Sequence, residues 1–147
     1  MKSLWQLEAR AAILSRLARL TPDHRAAWGK FTAPLMVAHL SDGLRMAFGD
    51  LPTRSRGLPI RHPPLKQLFI YWIPIPKGLP TAKELIARAP ESWETEMESC
   101  RSLVDRFGRE SPQRQWPDHP AFGTMNSRRW GVIVYRHIDH HLRQFGV

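Results

Sequence analysis

One cysteine, Cys100, is all that the 147-residue chain carries. That excludes an internal disulfide framework and any cysteine-rich zinc or iron–sulfur site. Long apolar runs are missing too. The longest, Leu68–Ile75, falls far short of the roughly 20 residues that span a bilayer. The amino terminus carries Glu8, Arg10 and Arg16 inside a periodic apolar pattern, which is not how a signal peptide reads. A cytoplasmic protein without a membrane partner is the expectation. Acidic residues are outnumbered, 13 against 22 basic ones, for a formal net charge of +9. Such a balance permits nucleic acid, anionic lipid or an acidic small molecule as partner and does not choose among them.

What is present is a globular composition, 42% hydrophobic along the whole chain, enough for one domain over 1–147 with a full core. Four segments carry a helical apolar period. The first is expected from a Ser3 cap to about Leu20, with Leu4, Leu7, Ala11, Leu14 and Leu17 or Ala18 on one stripe, stopped by Thr21-Pro22-Asp23. The second starts at Thr32, has Pro34 in its first turn, and ends near Phe48 before Gly49. The third spans roughly Glu91 to Phe107, with Trp93, Met97, Cys100, Val104 and Phe107 as its stripe and Gly108 placed to close it. Its acidic first half and basic end suit the helix dipole. The fourth runs from Asn126 or Ser127 to Phe145, followed by Gly146.

Between Leu51 and Pro80 the period fails. Seven prolines and five basic residues fall there, with no acidic one. Leu65–Ile73 reads as either a short helix or an extended apolar patch, and Thr81–Arg88 as a short helix leading into the third. A second proline-marked loop covers Ser111–Thr124. The fold class expected is therefore all-α, a four-helix bundle with a long Pro-rich crossover between the second and third helices.

Chemistry concentrates in the histidines. His137 and His141 lie four residues apart on the fourth helix, so their rings project from one face and can share a metal ion. Trp130, Val134 and Gln144 fall on the same stripe and mark it as inward. His39, mid-helix among Met36, Leu40, Gly43 and Met46, is the best third candidate. The plainer alternative is a set of hydrogen-bonded core histidines, and periodicity leaves both open. Asp42 and Gln144, each about one turn from a candidate ligand, are candidate supporting or catalytic groups, with salt bridging and packing as the plainer readings. His140 is read as pointing away from the pair, as an outer support of the site or an interfacial residue, His119 as a loop residue or pocket rim, and His24 and His62 as solvated. Cys100 reads as buried filler rather than a nucleophile. Trp28, Trp72, Trp93, Trp116 and Trp130 read as core.

The ending His137-Ile138-Asp139-His140-His141-Leu142-Arg143-Gln144-Phe145-Gly146 resembles the carboxy-terminal signature of the DinB/YfiT-like superfamily, in a branch ending His-x-x-His-His-x-x-Gln-Phe-Gly. Trp28-Gly29-Lys30, Met36-Val37-Ala38-His39-Leu40 and His119-Pro120-x-Phe122-Gly123 before Trp130 match that branch in order, so the likeness covers nearly the whole chain. It implies a four-helix bundle whose divalent metal (zinc, nickel, iron or manganese) is held by His39, His137 and His141. It also implies a metal-dependent enzyme acting on a small substrate, with thiol S-transfer using a low-molecular-weight thiol ahead of hydrolysis.

The basic excess adds an expectation of an anionic substrate or cofactor, with Arg45 and Arg143 as candidate anion clamps and solvated surface arginine as their plainer reading. A non-catalytic, nucleic-acid-binding or dimerisation module is the alternative. Nucleic acid is disfavoured because the basic residues are scattered and no DNA-binding motif is present. A homodimer is the expected assembly, and the apolar Leu68–Ile75 stretch reads equally as its contact surface or as a cover on the bundle.

Overall fold

Thr32 sets the longest inner helix in place. Its hydroxyl accepts from the Leu35 amide at 3.4 Å, Pro34 occupies the first turn, and Gly49 ends the helix at φ 82°, a left-handed value that suits glycine. The same logic acts elsewhere: Ser92 caps at Thr95 N and Asn126 at Arg129 N, with bonds of 3.2 and 3.0 Å. The computed structural model describes residues 1–77, 85 and 88–147. Among them are five α-helices, one short 3₁₀ turn at Pro59–Arg61, and no strand. The helices are α1 (Leu7–Leu17), α2 (Ala33–Phe48), α3 (Leu65–Tyr71), α4 (Trp93–Arg109) and α5 (Ser127–Gln144).

α2 packs against α4 and α5, α1 against the same two, and α3 against α5 and the 3₁₀ turn. The shared core takes Ile13 and Leu17 from α1, Met36, Leu40 and Leu44 from α2, Val104 and Phe107 from α4, and Ile138 and Leu142 from α5. Aromatic rings fill one end: Phe107 lies 4.8 Å from Trp5, 5.7 Å from Phe48 and 5.4 Å from Trp116. These tilted contacts add to what burial contributes. No helix is long and apolar enough to cross a membrane among the described residues.

The first helix differs from expectation in length and phase. Residues 3–6 form a turn, pinned by Leu4 N to Gly131 O at 3.0 Å and by the Trp5 indole to Ser127 O at 2.8 Å. The helix begins only after that turn, which rotates its buried side to Ala9, Ile13 and Leu17. Leu7, expected on the stripe, is 72% exposed. Gly108 does not close α4 either. A Cβ there would collide with the Arg10 guanidinium, which donates to Leu4 O at 2.7 Å, so the residue serves as a seat for an arginine of α1. Within the crossover, the Leu65–Ile73 stretch forms α3 over Leu65–Tyr71, the helix beyond the four expected. The short helix expected at Thr81–Arg88 lies, save for Leu85 and Arg88, outside the described residues.

A buried ion cluster joins α2 to α4. Arg88 bonds both carboxylate oxygens of Glu96, to Oε2 at 2.8 Å, and also Asp42 Oδ1 at 3.0 Å. Arg45 reaches Asp42 and Ser99 at 3.2 and 3.0 Å. Glu96 is 1% exposed, and the Arg88 hydrogen bond holds its carboxyl below the usual glutamate range despite burial. A lowered carboxyl pKa gives stability that is present above the unfolded value and lost as pH falls. Glu96→Gln is therefore expected to cost about 1–3 kcal/mol at neutral pH, and less in acid. Urea denaturation of both proteins across the acid range checks this.

Candidate metal centre

Capping fixes the phase of α5 so that Trp130, Val134, His137, His141 and Gln144 share its inward face. α2, capped at Thr32, brings His39 opposite them. The three imidazoles meet with ring centroids 4.8–4.9 Å apart, each pair close to perpendicular. One ring nitrogen from each falls in a group whose atoms lie within 4.8 Å of one another. His39 Nε2 and His137 Nε2 are 2.9 Å apart. His39 and His141 are buried and His137 is half-buried. Phe31 stacks on His39 at 5.2 Å and leans on His141 at 5.6 Å.

The hydrogen bonds around the cluster assign its tautomers. Gln144 Nε2 donates to Trp28 O at 2.5 Å, so its Oε1 is the atom facing His141 Nδ1 at 2.8 Å. An amide oxygen only accepts, so His141 carries its proton on Nδ1 and turns the Nε2 lone pair inward. His39 Nδ1 lies 3.1 Å from Leu85 O, another pure acceptor, which leaves its Nε2 lone pair inward as well. Outer partners that fix the second ring nitrogen are the usual support of metal-ligating histidines. Gly29 makes the arrangement possible: its φ is 80°, and a Cβ there would stand 2.7 Å from Gln144 Nε2.

Burial keeps the rings neutral. It lowers His39 against the opposing pull of Leu85 O and Asp42, and it takes His141 down to about 3 with help from His39. His137 is driven well below its ordinary value, by burial first and then by its two neighbours. Three neutral imidazoles converging on one point form a nitrogen donor set that can hold a divalent ion and leave coordination positions open.

The cluster opens on a cavity of about 630 Å³, within the range of small-molecule sites. His140 lines it, half-buried with its ring 5.9 Å from Trp28 and 5.2 Å from His141. Off the face of the histidine pair, as its spacing implies, it still reaches the cavity wall beside His141. His119 takes both of the roles considered for it. Its Nδ1 accepts from Ala121 N and Phe122 N at 3.1 and 3.2 Å, and its ring lines the cavity. Trp28 and Trp130, read as core, are also wall residues.

Of the supporting residues expected, Gln144 is at the site and Asp42 is not in the cavity lining, since its carboxylate is held by Arg88 and Arg45. Neither candidate anion clamp reaches the cavity. Arg45 is engaged by Asp42 and Ser99, and Arg143 lies on the exposed side of α5, 3.0 Å from Asp139. Among the described residues, Lys30 and Arg56, both exposed, are the cations of the lining. His24 bonds Thr21 through Nδ1, and His62 is exposed. Cys100 is buried in the core outside the cavity, its thiol pushed up to about 12 by burial. The Leu85 carbonyl, which orients His39, and the Trp28 carbonyl, which holds Gln144, leave no trace in a sequence because any residue supplies a carbonyl.

His119 makes the fold acid-sensitive. Burial lowers its pKa from 6.5 to about 3, so the unfolded chain takes up a proton that the folded one refuses. Stability is therefore lost as pH falls from 6.5 towards about 3. His119→Asn, which keeps an acceptor for the two loop amides, is expected to show a shallower loss over that window. Denaturation midpoints measured at successive pH values read this directly.

A family model described as a protein of unknown function, DUF1569, matches residues 5–146. No curated protein and no solved structure matches the chain. The matched segment contains both helices of the histidine cluster and the whole cavity wall, and the chain belongs to the DUF1569 family.

Proposed function

We propose that this protein is a metal-dependent enzyme acting on a small substrate in the 630 Å³ cavity, with thiol S-transfer ahead of hydrolysis. The observation that carries the reading is the tautomer pattern. Leu85 O and the Gln144–Trp28 pair turn the Nε2 lone pairs of His39 and His141 toward His137. His137 Nε2 donates to the His39 lone pair at 2.9 Å, the place a metal ion would take once His137 carries its proton on Nδ1. The four long helices and the Pro-rich crossover between α2 and α4 are read as a four-helix bundle of the DinB/YfiT-like kind, which the ending His-x-x-His-His-x-x-Gln-Phe-Gly suggests.

In this reading His39, His137 and His141 hold the ion, and Gln144 and Leu85 O keep two of the rings oriented. Phe31, Trp130 and the other apolar walls exclude water from the reacting groups. The ion would supply Lewis acidity, lowering the pKa of a thiol or water brought to its open position. The thiol must come from outside, because the one cysteine is buried in the core away from the cavity.

Titration of metal-free protein with zinc or nickel is expected to show one ion per chain. His39→Ala, His137→Ala and His141→Ala should each abolish that stoichiometry, and Gln144→Leu should weaken it about ten- to hundredfold. Absence of stoichiometric binding contradicts the proposal. Cobalt-loaded protein then separates the chemistries: a thiolate-to-metal charge-transfer band on adding an external thiol supports S-transfer, and its absence favours hydrolysis.

A further inference from the structure

The cavity is far larger than a metal site needs. At about 630 Å³ it would hold roughly twenty waters by their share of liquid volume, yet its walls offer water little. Phe31, Phe69, Ile73, Ile75, Phe122 and Ile133 make up much of the lining. Two of its polar side chains are spent within the protein. Gln144 bonds His141 and Trp28 O, and His119 Nδ1 takes two loop amides. An apolar space of this kind gains by exchanging water for an apolar ligand.

Charge in the cavity is as one-sided as its surface is apolar. No carboxylate lines it among the described residues. Asp42, the acid nearest in sequence to His39, is committed to Arg88 and Arg45. The described lining thus offers a divalent ion on three neutral imidazoles no counter-charge, and an anion brought by the ligand would supply one. Lys30 and Arg56 add positive charge where the lining is exposed, and Lys77 Nζ lies 4.2 Å above the Trp28 ring. Such a field draws anions toward the opening.

We infer that the ligand of this cavity is an amphiphilic acid: a small molecule whose anionic head completes the charge at His39, His137 and His141 and whose apolar body lies along the Phe31–Ile73–Ile133 wall. The inference rests on the three-histidine metal reading and extends it from the reacting centre to the rest of the substrate. It departs from the expectation of clamping by Arg45 and Arg143, because the ligand is held by apolar area and by the centre itself.

Straight-chain carboxylates from acetate to octanoate, titrated calorimetrically into zinc-loaded and chelator-treated protein, test it. Affinity is expected to rise about fourfold per methylene in both forms until the chain fills the cavity, with zinc adding a constant increment for every acid. Octanol should lack that increment. Ile73→Asn, in the loop after α3, and Ile133→Asn, on α5, should each flatten the slope while circular dichroism shows the helices intact. Affinity independent of chain length overturns the inference. So does a slope that survives both wall variants, or octanol binding zinc-loaded protein as tightly as octanoate. An increment without a slope overturns the apolar body and leaves the metal reading standing. A slope without an increment, in protein that holds one zinc per chain, overturns the histidine-bound head and leaves the metal reading standing, which falls only where zinc does not bind stoichiometrically.

Discussion

Three imidazoles share one desolvated corner between α2 and α5, and the surrounding structure is arranged to make that tolerable. A buried ring nitrogen without a partner costs of order 1–3 kcal/mol, so six nitrogens on three rings are a large liability for a chain of this size. Two are satisfied outward, by Leu85 O and by Gln144 Oε1. Inward, His137 Nε2 donates to His39 Nε2 at 2.9 Å. The cluster thus stays neutral and oriented, which is also the state in which imidazole binds a metal ion.

Keeping the corner fixed draws in elements distant in sequence. The chain before α2 turns at Gly29 so that the Trp28 carbonyl can hold Gln144 near the end of α5. α2, which carries His39, is tied to α4 by the Asp42–Arg88–Glu96 ion cluster one turn along from it. α5 is tied to α3 by Arg136, which donates to the carbonyls of Phe69 (2.9 Å), Ile70 and Ile73. That last contact closes the carbonyl end of a short helix and also places Phe69 and Ile73 on the cavity wall. Site geometry and fold stability draw on the same contacts, so the walls cannot move far without loosening a buried hydrogen bond.

Much of this was legible in the sequence where local chemistry decides. Thr32, Gly49 and Asn126 announced the ends of α2 and the start of α5, and the spacing of His137 and His141 placed both on one inward face. The beginning of α1 was not legible, because Leu4 and Leu7 are equally apolar. Only the contact of Leu4 N with Gly131 O, more than a hundred residues away in sequence, decides which of them is buried. Arg45 and Arg143 looked like anion clamps because helical spacing reports the face of a residue and not its partner. Asp42 and Asp139 had already engaged them. Gln144, the support of His141, could be read from its place one turn on, whereas the backbone carbonyls of Leu85 and Trp28 behind His39 and Gln144 carry no side-chain signature.

X-ray absorption at the zinc edge of the loaded protein tests the central claim most directly. The account predicts a first shell containing three imidazole nitrogens at about 2.0–2.1 Å, with the outer-shell scattering of histidine rings, and loss of that pattern in His137→Ala. A shell of oxygens without imidazole scattering, or the same spectrum from the variant, would contradict it.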